Sequence, residues 1–558
     1  MASGPFDYIV VGAGTAGCVL AARLSEDADV RVALIEAGPT DSNPYIHIPA
    51  AVAAAMFHPA IGWGYFTEPQ PELNNRRIPI PRGRVIGGSG AINGMAYHRG
   101  HPRDYDDWST AGNMGWSYRE VLPYFIRSEN NEAWRGSPYH GVGGPMNVTG
   151  IEHPNPLNKA FLAASVSLQH RESPDFTGPD PEGYGLRQAT IRAGRRESTA
   201  TAYLRPALSR KNLTVITDAL VTAIAIEDGR AGGVDIERGG QPSRLVARRE
   251  VVLCGGAIGS PQILQLSGVG DGNALKAAGV TVRHHLPDVG AHLQDHLASS
   301  VQMVTDNTQS YGISWPTVPR GVWTLLEYAL FRRGPLASNV FESTAFLRSD
   351  PSLDRPDLQF AFQPARRNPT PFPIPIGHGY ALSQVLLYPR SRGSVTLASA
   401  DPRAAPLIDP RLLSAPEDIQ PLLRGIRMAR SMFAAPAFGG YLADEVAPGP
   451  EVTSEDALVD YIRRTASTVH HPAGTCRMGA GAASVVDPEL RVRGIAGLRV
   501  ADASIFPRLV GGNTNAPVVM VAEKAADLIR GRPAPPPAEV PPLGAPSGAL
   551  KPAFSTPR

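Results

Sequence analysis

Cysteine is scarce in this chain, and its charges nearly cancel. With only Cys18, Cys254 and Cys476 in 558 residues, neither a disulfide framework nor a C-x-x-C metal knuckle can be assembled. That usage suits a reducing compartment, so a cytoplasmic location is expected. Lys and Arg total 53 against 51 Asp and Glu, a formal net charge of +2, which gives no electrostatic basis for a nucleic-acid partner. Long apolar runs are missing as well. The longest, residues 8–24, is interrupted by glycines, so no transmembrane segment is predicted. Residues 1–5 show no basic segment ahead of an apolar one, and no signal peptide is expected. The candidate for peripheral membrane contact is the stretch 322–331, followed by Arg332 and Arg333. Packing on its own domain, or over a substrate entrance, is the simpler expectation for it.

Glycine and proline are abundant, 57 and 54 residues, and imply many turns and long irregular connections. The length exceeds one simple core, so two joined domains are expected. Near the start, Gly12, Gly14 and Gly17 form a G-x-G-x-x-G motif enclosing Thr15 and Ala16. Such a motif is informative only between a strand and a helix, with an acid following. Residues 7–11 are a β-branched run, 16–25 favour a helix, and 30–35 form a second apolar run closed by Glu36. Gly12 permits the tight turn, Gly14 lets a pyrophosphate approach the backbone, and Gly17 lets helix and strand pack closely. The helix N-terminus offers unpaired N–H groups to phosphate. Glu36 accepts hydrogen bonds from ribose hydroxyls and repels a 2′-phosphate, which selects FAD or NAD over NADP.

Further along, residues 251–254 read as a buried strand turned by Gly255 and Gly256. Ser260 and Pro261 read as N-cap and first residue of a helix over 262–266, stopped by Gly268. A helix over 516–529, with Asn515 as N-cap and Pro517 in its first turn, closes the pattern. Over 300–460 the signal changes to spaced strand-like runs, 358–362, 382–388 and 394–397, which predict a mostly antiparallel second domain. The segment 533–558 has the proline-rich composition of a disordered tail.

Four separated motifs carry a resemblance. They are the first glycine-rich turn; GRVIGGSGAIN at 83–93; GAIGSPQILQLSGVG at 256–270; and His471 with Asn513, which has Asp502 and Ala503 before it and a helix after. In this order, over nearly the whole chain except the tail, they are similar to the glucose/methanol/choline (GMC) flavoprotein oxidoreductases. The similar branch includes choline dehydrogenase, alcohol dehydrogenase and hydroxymethylfurfural oxidase. The resemblance implies an α/β fold with a Rossmann-type FAD-binding domain built from discontinuous segments, 1–155, 195–300 and 462–532. A second, substrate-binding domain, 156–194 and 301–461, would rest on a mostly antiparallel sheet with helices. The cofactor implied is FAD, bound by Gly12, Gly14, Thr15, Ala16, Gly17 and Glu36, and by Arg84, Gly87, Gly88, Ser89, Asn93 and Gly94. Val221, Asp502, Ala503 and Asn513 complete the implied set. The implied reaction is oxidation of a small-molecule alcohol to an aldehyde or ketone, with oxygen or a quinone or dye as electron acceptor.

The residues make chemical sense of that implication. Alcohol oxidation by a flavin needs a base for the hydroxyl proton, and neutral imidazole suits proton transfer near neutral pH. His471 is the candidate base, with hydride passing from carbon to the flavin, and Asn513 would orient the alcohol without competing for its proton. His470 is expected to line the pocket. Glu342 matches a substrate-facing position in choline-oxidising members. Some members tether FAD through a His before the signature Asn. Here that residue is Ile92, so noncovalent FAD is expected. The cluster His284, His285, His292, Asp295 and His296 lacks convincing ligand spacing, and no metal is assigned. The alternatives are a hydroxynitrile lyase-type or other non-redox activity on the same scaffold, or a flavin-binding protein without turnover.

Overall fold

A computed structural model describes residues 4–367 and 376–541. The first β-branched run forms the strand Phe6–Val11, buried along its whole length as a strand covered on both faces must be. It pairs in parallel with Val32–Ile35 on one side and with the end of Gln241–Leu253 on the other. Leu213–Ile216 and Leu498–Val500 extend this parallel sheet at its two ends. Strands from three distant stretches of chain therefore share one sheet. The strand Gln241–Leu253 changes character midway: residues 251–253 belong to the parallel sheet, while 241–246 close an antiparallel meander with Arg230–Arg238 and Ala219–Glu227.

The helix Thr15–Leu24 follows the first strand and packs against the closing helix Asn515–Arg530. Glu523 of the closing helix is fully buried, accepts hydrogen bonds from Arg23 Nη2 (2.8 Å) and the Tyr203 hydroxyl (2.7 Å), and pairs with Arg127 Nε (2.9 Å). A carboxylate without water is tolerable only with such partners. This one fastens the two ends of the chain together.

Two helix starts differ from the sequence expectation. The helix after Gly255 is Gly256–Leu266, with Pro261 inside it rather than at its first position. Pro261 removes the N–H that would bond the Ala257 carbonyl. The Thr475 hydroxyl donates to that carbonyl instead (2.7 Å), and Ser260 bonds Asp502 Oδ2 (2.6 Å) rather than capping. The closing helix has Thr514 at its N-cap, and Asn515 Oδ1 accepts from the Thr15 hydroxyl (2.9 Å).

The second sheet runs Asp444–Ala447, Leu297–Thr305, His378–Leu386, Leu358–Gln363, Ser343–Leu347, Gly183–Leu186, all antiparallel. Successive side chains alternate between its faces. Leu297, Val301, Leu358, Phe360, Phe362, Leu382 and Leu386 form one apolar face, in a core shared with the helix Ile419–Phe433. Ser300, Gln302, Gln359, Gln363 and Ser383 look the other way, into a cavity. The domain boundary expected at 300 falls inside the strand Leu297–Thr305, and the one at 461 inside the helix Glu455–Thr465.

Two surface features depart from expectation. The helix Val318–Phe331 does not bury an apolar face on its domain: of its residues only Tyr328 is buried, while Trp323 is 62% and Leu330 71% exposed. Among the described residues no helix is long and apolar enough to cross a membrane. The disordered tail expected from 533 does not begin there, because Ala538 exchanges hydrogen bonds with Arg119 (2.7 and 3.0 Å) and Val540 packs on the core. The rest of that segment, 542–558, lies outside the described residues.

Candidate active site

The parallel sheet, the antiparallel sheet and the start of the closing helix open onto one cavity of about 1020 Å³. Gly12, Gly14, Thr15 and Ala16 line it at the start of the first helix, and Gly255, Gly256 and Ala257 at the start of the second. The first turn of the closing helix contributes Asn515 and Val518. Three helix N-termini, each a source of partial positive charge and free N–H groups, thus meet there.

The glycines act as the chemistry requires. A Cβ on Gly17 would lie 1.8 Å from the Gly12 carbonyl oxygen, so Gly17 serves strand–helix packing and does not line the cavity. A Cβ on Gly88 would lie 2.6 Å from Gly14 Cα, and the two glycine-rich turns touch backbone to backbone at the cavity wall. Ser89, Asn93, Gly94, Val221 and Ala503 also line it. Gly87 does not: its N–H donates to the Ala13 carbonyl (2.7 Å), and it packs beside Ala91 and Ala200. Arg84 lies at the cavity's edge: its exposed side chain donates from Nε to the Ala37 carbonyl (3.3 Å), stacks over Trp63 at 5.2 Å, and faces a smaller adjoining pocket.

Glu36 lines the cavity and accepts from the Ala13 N–H (2.9 Å) and the Gly38 N–H (2.9 Å). Burial pushes its carboxyl up to about 7, against those two donors. Each oxygen retains a lone pair for a diol. Asp502 also lines the cavity: Oδ2 accepts from the Gly256 N–H (2.8 Å) and the Ser260 hydroxyl, and Oδ1 accepts from the Ser504 N–H (2.8 Å), which anchors the loop carrying Ala503 and leaves Oδ1 a further lone pair.

On the opposite wall, Gln294 and Ala473 pair antiparallel and bring residues 295–296 beside 471. Asp295 Oδ1 accepts the His471 N–H (2.7 Å), and Oδ2 binds the Thr468 hydroxyl. Burial raises Asp295 to about 6. His296 Nε2 meets the Leu387 carbonyl at 3.0 Å, and His296 Nδ1 meets His471 Nδ1 at 2.9 Å. Burial holds His296 down to about 4, so it is neutral. A neutral ring that donates from Nε2 accepts at Nδ1. These partners assign the His471 proton to Nδ1 and leave its Nε2 unprotonated, with a lone pair that can act as a base. Burial also holds His471 well below the usual imidazole range. Asn513 Nδ2 stands 3.1 Å from that Nε2, and Asn513 Oδ1 is buried without a partner.

His470 and His471 both line the cavity, which a regular strand would forbid. His470 takes the left-handed conformation (φ 70°), and this turns both rings to one side. Its Nδ1 is buried and unpartnered, and burial, reinforced by Arg82 and Arg367, lowers it to about 3.

Glu342 lies apart from these groups. It does not line the cavity. Its oxygens accept from Tyr311 OH (2.7 Å), Ser338 OH (2.5 Å), the Asn155 N–H (2.8 Å) and Asn158 Nδ2 (2.5 Å), so it holds the second domain together. Sequence reading missed Asp295 and His296 as partners of His471, having met them only in a rejected metal cluster. Their signal was the adjacent Asp–His pair, but its meaning needs a contact across more than 170 residues.

The residues present fit an FAD. The interlocked glycine turns leave backbone exposed, Glu36 suits a ribose, and the orphaned Asn513 Oδ1 and His470 Nδ1 await a polar group. A parallel-sheet nucleotide cradle facing a histidine–amide pair, beneath a sheet supplied by a second unit, defines a dinucleotide-dependent oxidoreductase. Residues 6–298 and 389–522 match the N- and C-terminal family models for GMC oxidoreductase, and the chain belongs to that family. It is 44% identical over 526 residues to an alcohol dehydrogenase [acceptor] of Pseudomonas putida, covering 94% of this chain and 95% of that one. Identity is also 44% to an oxygen-dependent choline dehydrogenase of Rhizobium etli (strain CIAT 652), over 94% and 96% of the two chains. The crystal structure of pyridoxine 4-oxidase from Mesorbium loti superposes with a TM-score of 0.86 at 33% identity, over 95% of this chain and 100% of that one.

Proposed function

We propose that this protein oxidises an alcohol to an aldehyde or ketone with FAD, His471 removing the hydroxyl proton. One observation carries the reading: the partners of His296 leave the His471 Nε2 lone pair beside Asn513 on the cavity wall. The incoming hydroxyl donates to Nε2, and its oxygen accepts from Asn513 Nδ2, replacing the bond between those two groups. Removing the proton as the C–H bond weakens is general-base catalysis. When bound, FAD accepts the hydride from the carbinol carbon. The antiparallel sheet roofs the cavity that holds these groups, and the closing helix brings its positive end to the cavity wall, where it would stabilise negative charge on a reduced flavin.

Noncovalent FAD is part of the proposal. Ile92, at the signature position that carries the tether in some members, is a buried apolar side chain with no nucleophilic atom. Acid precipitation should release all of the flavin into the supernatant. The cytoplasmic location and the choice between oxygen and a quinone or dye as acceptor belong to the same proposal, and reoxidation of reduced enzyme by air or by a quinone tests the latter.

The decisive test is anaerobic mixing with primary, benzylic and amino alcohols. Bleaching of the flavin band is the expected result. Cyanide release from a cyanohydrin with the band unchanged would replace this reading with a lyase.

A further inference from the structure

The charges around the cavity are lopsided. Four arginines line it, Arg82, Arg187, Arg366 and Arg367, against two acids, Glu36 and Asp502. Both acids belong to the nucleotide side, where backbone N–H groups already occupy them. Under the antiparallel sheet there is no lining carboxylate. Arg82 has compensation: Nη2 donates to the His470 carbonyl (2.6 Å), and Asp295 acts on it electrostatically. Arg187 donates to the Ser343 carbonyl (3.3 Å).

Arg366 and Arg367 differ. They end the segment leaving the strand Leu358–Gln363, and among the described residues no ion pair engages either one. Arg367 reaches Ser383 on the cavity face of the sheet (Nη1 to Oγ, 3.4 Å), and its charge is felt at His470, next to the proposed base. Around them the sheet presents Gln302, Gln359 and Gln363, which can bind a polar group but neutralise nothing. Arg366 is half-buried and Arg367 exposed, so water can solvate both; what they offer is two adjacent guanidinium forks on one cavity wall, with no carboxylate engaging them, available to an anionic group that enters.

Resting on the alcohol-oxidation reading, we propose that the substrate is an alcohol that also carries a carboxylate, gripped by Arg366 and Arg367 while its carbinol end meets His471 and Asn513. The carboxylate takes no part in the chemistry. It orients the substrate, as a planar fork of N–H donors does for a carboxylate. The same lining repels a quaternary ammonium alcohol.

Holoenzyme is tested with ω-hydroxy acids of four to ten carbons, their ω-hydroxy amides, and ω-hydroxyalkyl trimethylammonium ions. For at least one chain length the acid should give a higher kcat/KM than its amide, and the ammonium ion the lowest. In Arg366→Gln and Arg367→Gln holoenzyme the acid-to-amide ratio should fall about 10- to 100-fold, the size of a lost charge-assisted hydrogen bond. Arg→Lys should recover part of the ratio. Retained flavin absorbance shows that the variants fold. An amide equal to its acid at every length, a preference for the ammonium ion, or an unchanged ratio in both variants would overturn the proposal. If no alcohol reduces the flavin, the oxidation reading fails separately. The anion site is then judged by calorimetric binding of the hydroxy acids, which must weaken with salt and be lost in both variants, or the proposal is wrong.

Discussion

His296 and His471 share one proton position: their Nδ1 atoms lie 2.9 Å apart with the rings nearly perpendicular at 88°, and only one of them can hold the hydrogen. Because His296 spends its own N–H on Leu387, it accepts from His471. Replacing it by Ala leaves the His471 N–H unpaired in a buried site, an effect worth about 1–3 kcal/mol. His296→Ala should slow flavin reduction about 10- to 100-fold in anaerobic stopped flow, with little change in KM. His296→Gln, whose carbonyl can accept, should recover part of the rate.

Asp295 gives the pH dependence. Its ionised carboxylate accepts the His471 backbone N–H, and burial raises its pKa to about 6. As pH falls through about 6 the group takes up a proton and the support weakens, so kcat/KM should drop on the acid side there. His471 is depressed well below the usual imidazole value, so it does not supply this limb. In Asp295→Asn the profile should be lower and lack this limb; an unchanged limb in that variant contradicts the assignment.

Glu342 separates structure from specificity. With four donors on a fully buried carboxylate, Glu342→Ala should lower the melting temperature and cost about 3–5 kcal/mol. The ranking of ammonium, neutral and carboxylate alcohols should not move. A changed ranking would return Glu342 to the substrate.

Glu523→Ala tests the clasp between chain ends. It leaves the buried Tyr203 hydroxyl unpaired and takes one of two carboxylates from both Arg23, which keeps Glu26, and Arg127, which keeps Asp527, so denaturant unfolding of the holoenzyme should show a loss of about 1–3 kcal/mol. Hydrogen exchange should rise in Thr15–Leu24 and Asn515–Arg530 together.

Much of the nucleotide side was legible because its causes are local. The glycine spacing, the acid at 36 and the strand–helix–strand rhythm lie within one supersecondary unit, and the structure places strands and helix within two residues of the readings. The helix containing Pro261 was misread because the group that satisfies the freed carbonyl, Thr475, is more than 200 residues away. For Arg84 the motif specifies the backbone, while Trp63 and the Ala37 carbonyl decide where the side chain goes. On the catalytic wall, His471 and Asn513 were visible through motif resemblance, but Asp295 and His296 reach the same point only through the Gln294–Ala473 pairing. Arg366 and Arg367 carry no motif at all. Only the sheet's alternation shows which side chains share their cavity.

The central claim is that His471 takes the hydroxyl proton, and it is tested most directly by single-turnover flavin reduction in His471→Ala holoenzyme with wild-type FAD content. The account predicts a rate about 10²- to 10⁴-fold below wild type at saturating alcohol, the usual yield of a positioned base. Reduction at near wild-type rate in that variant would contradict it.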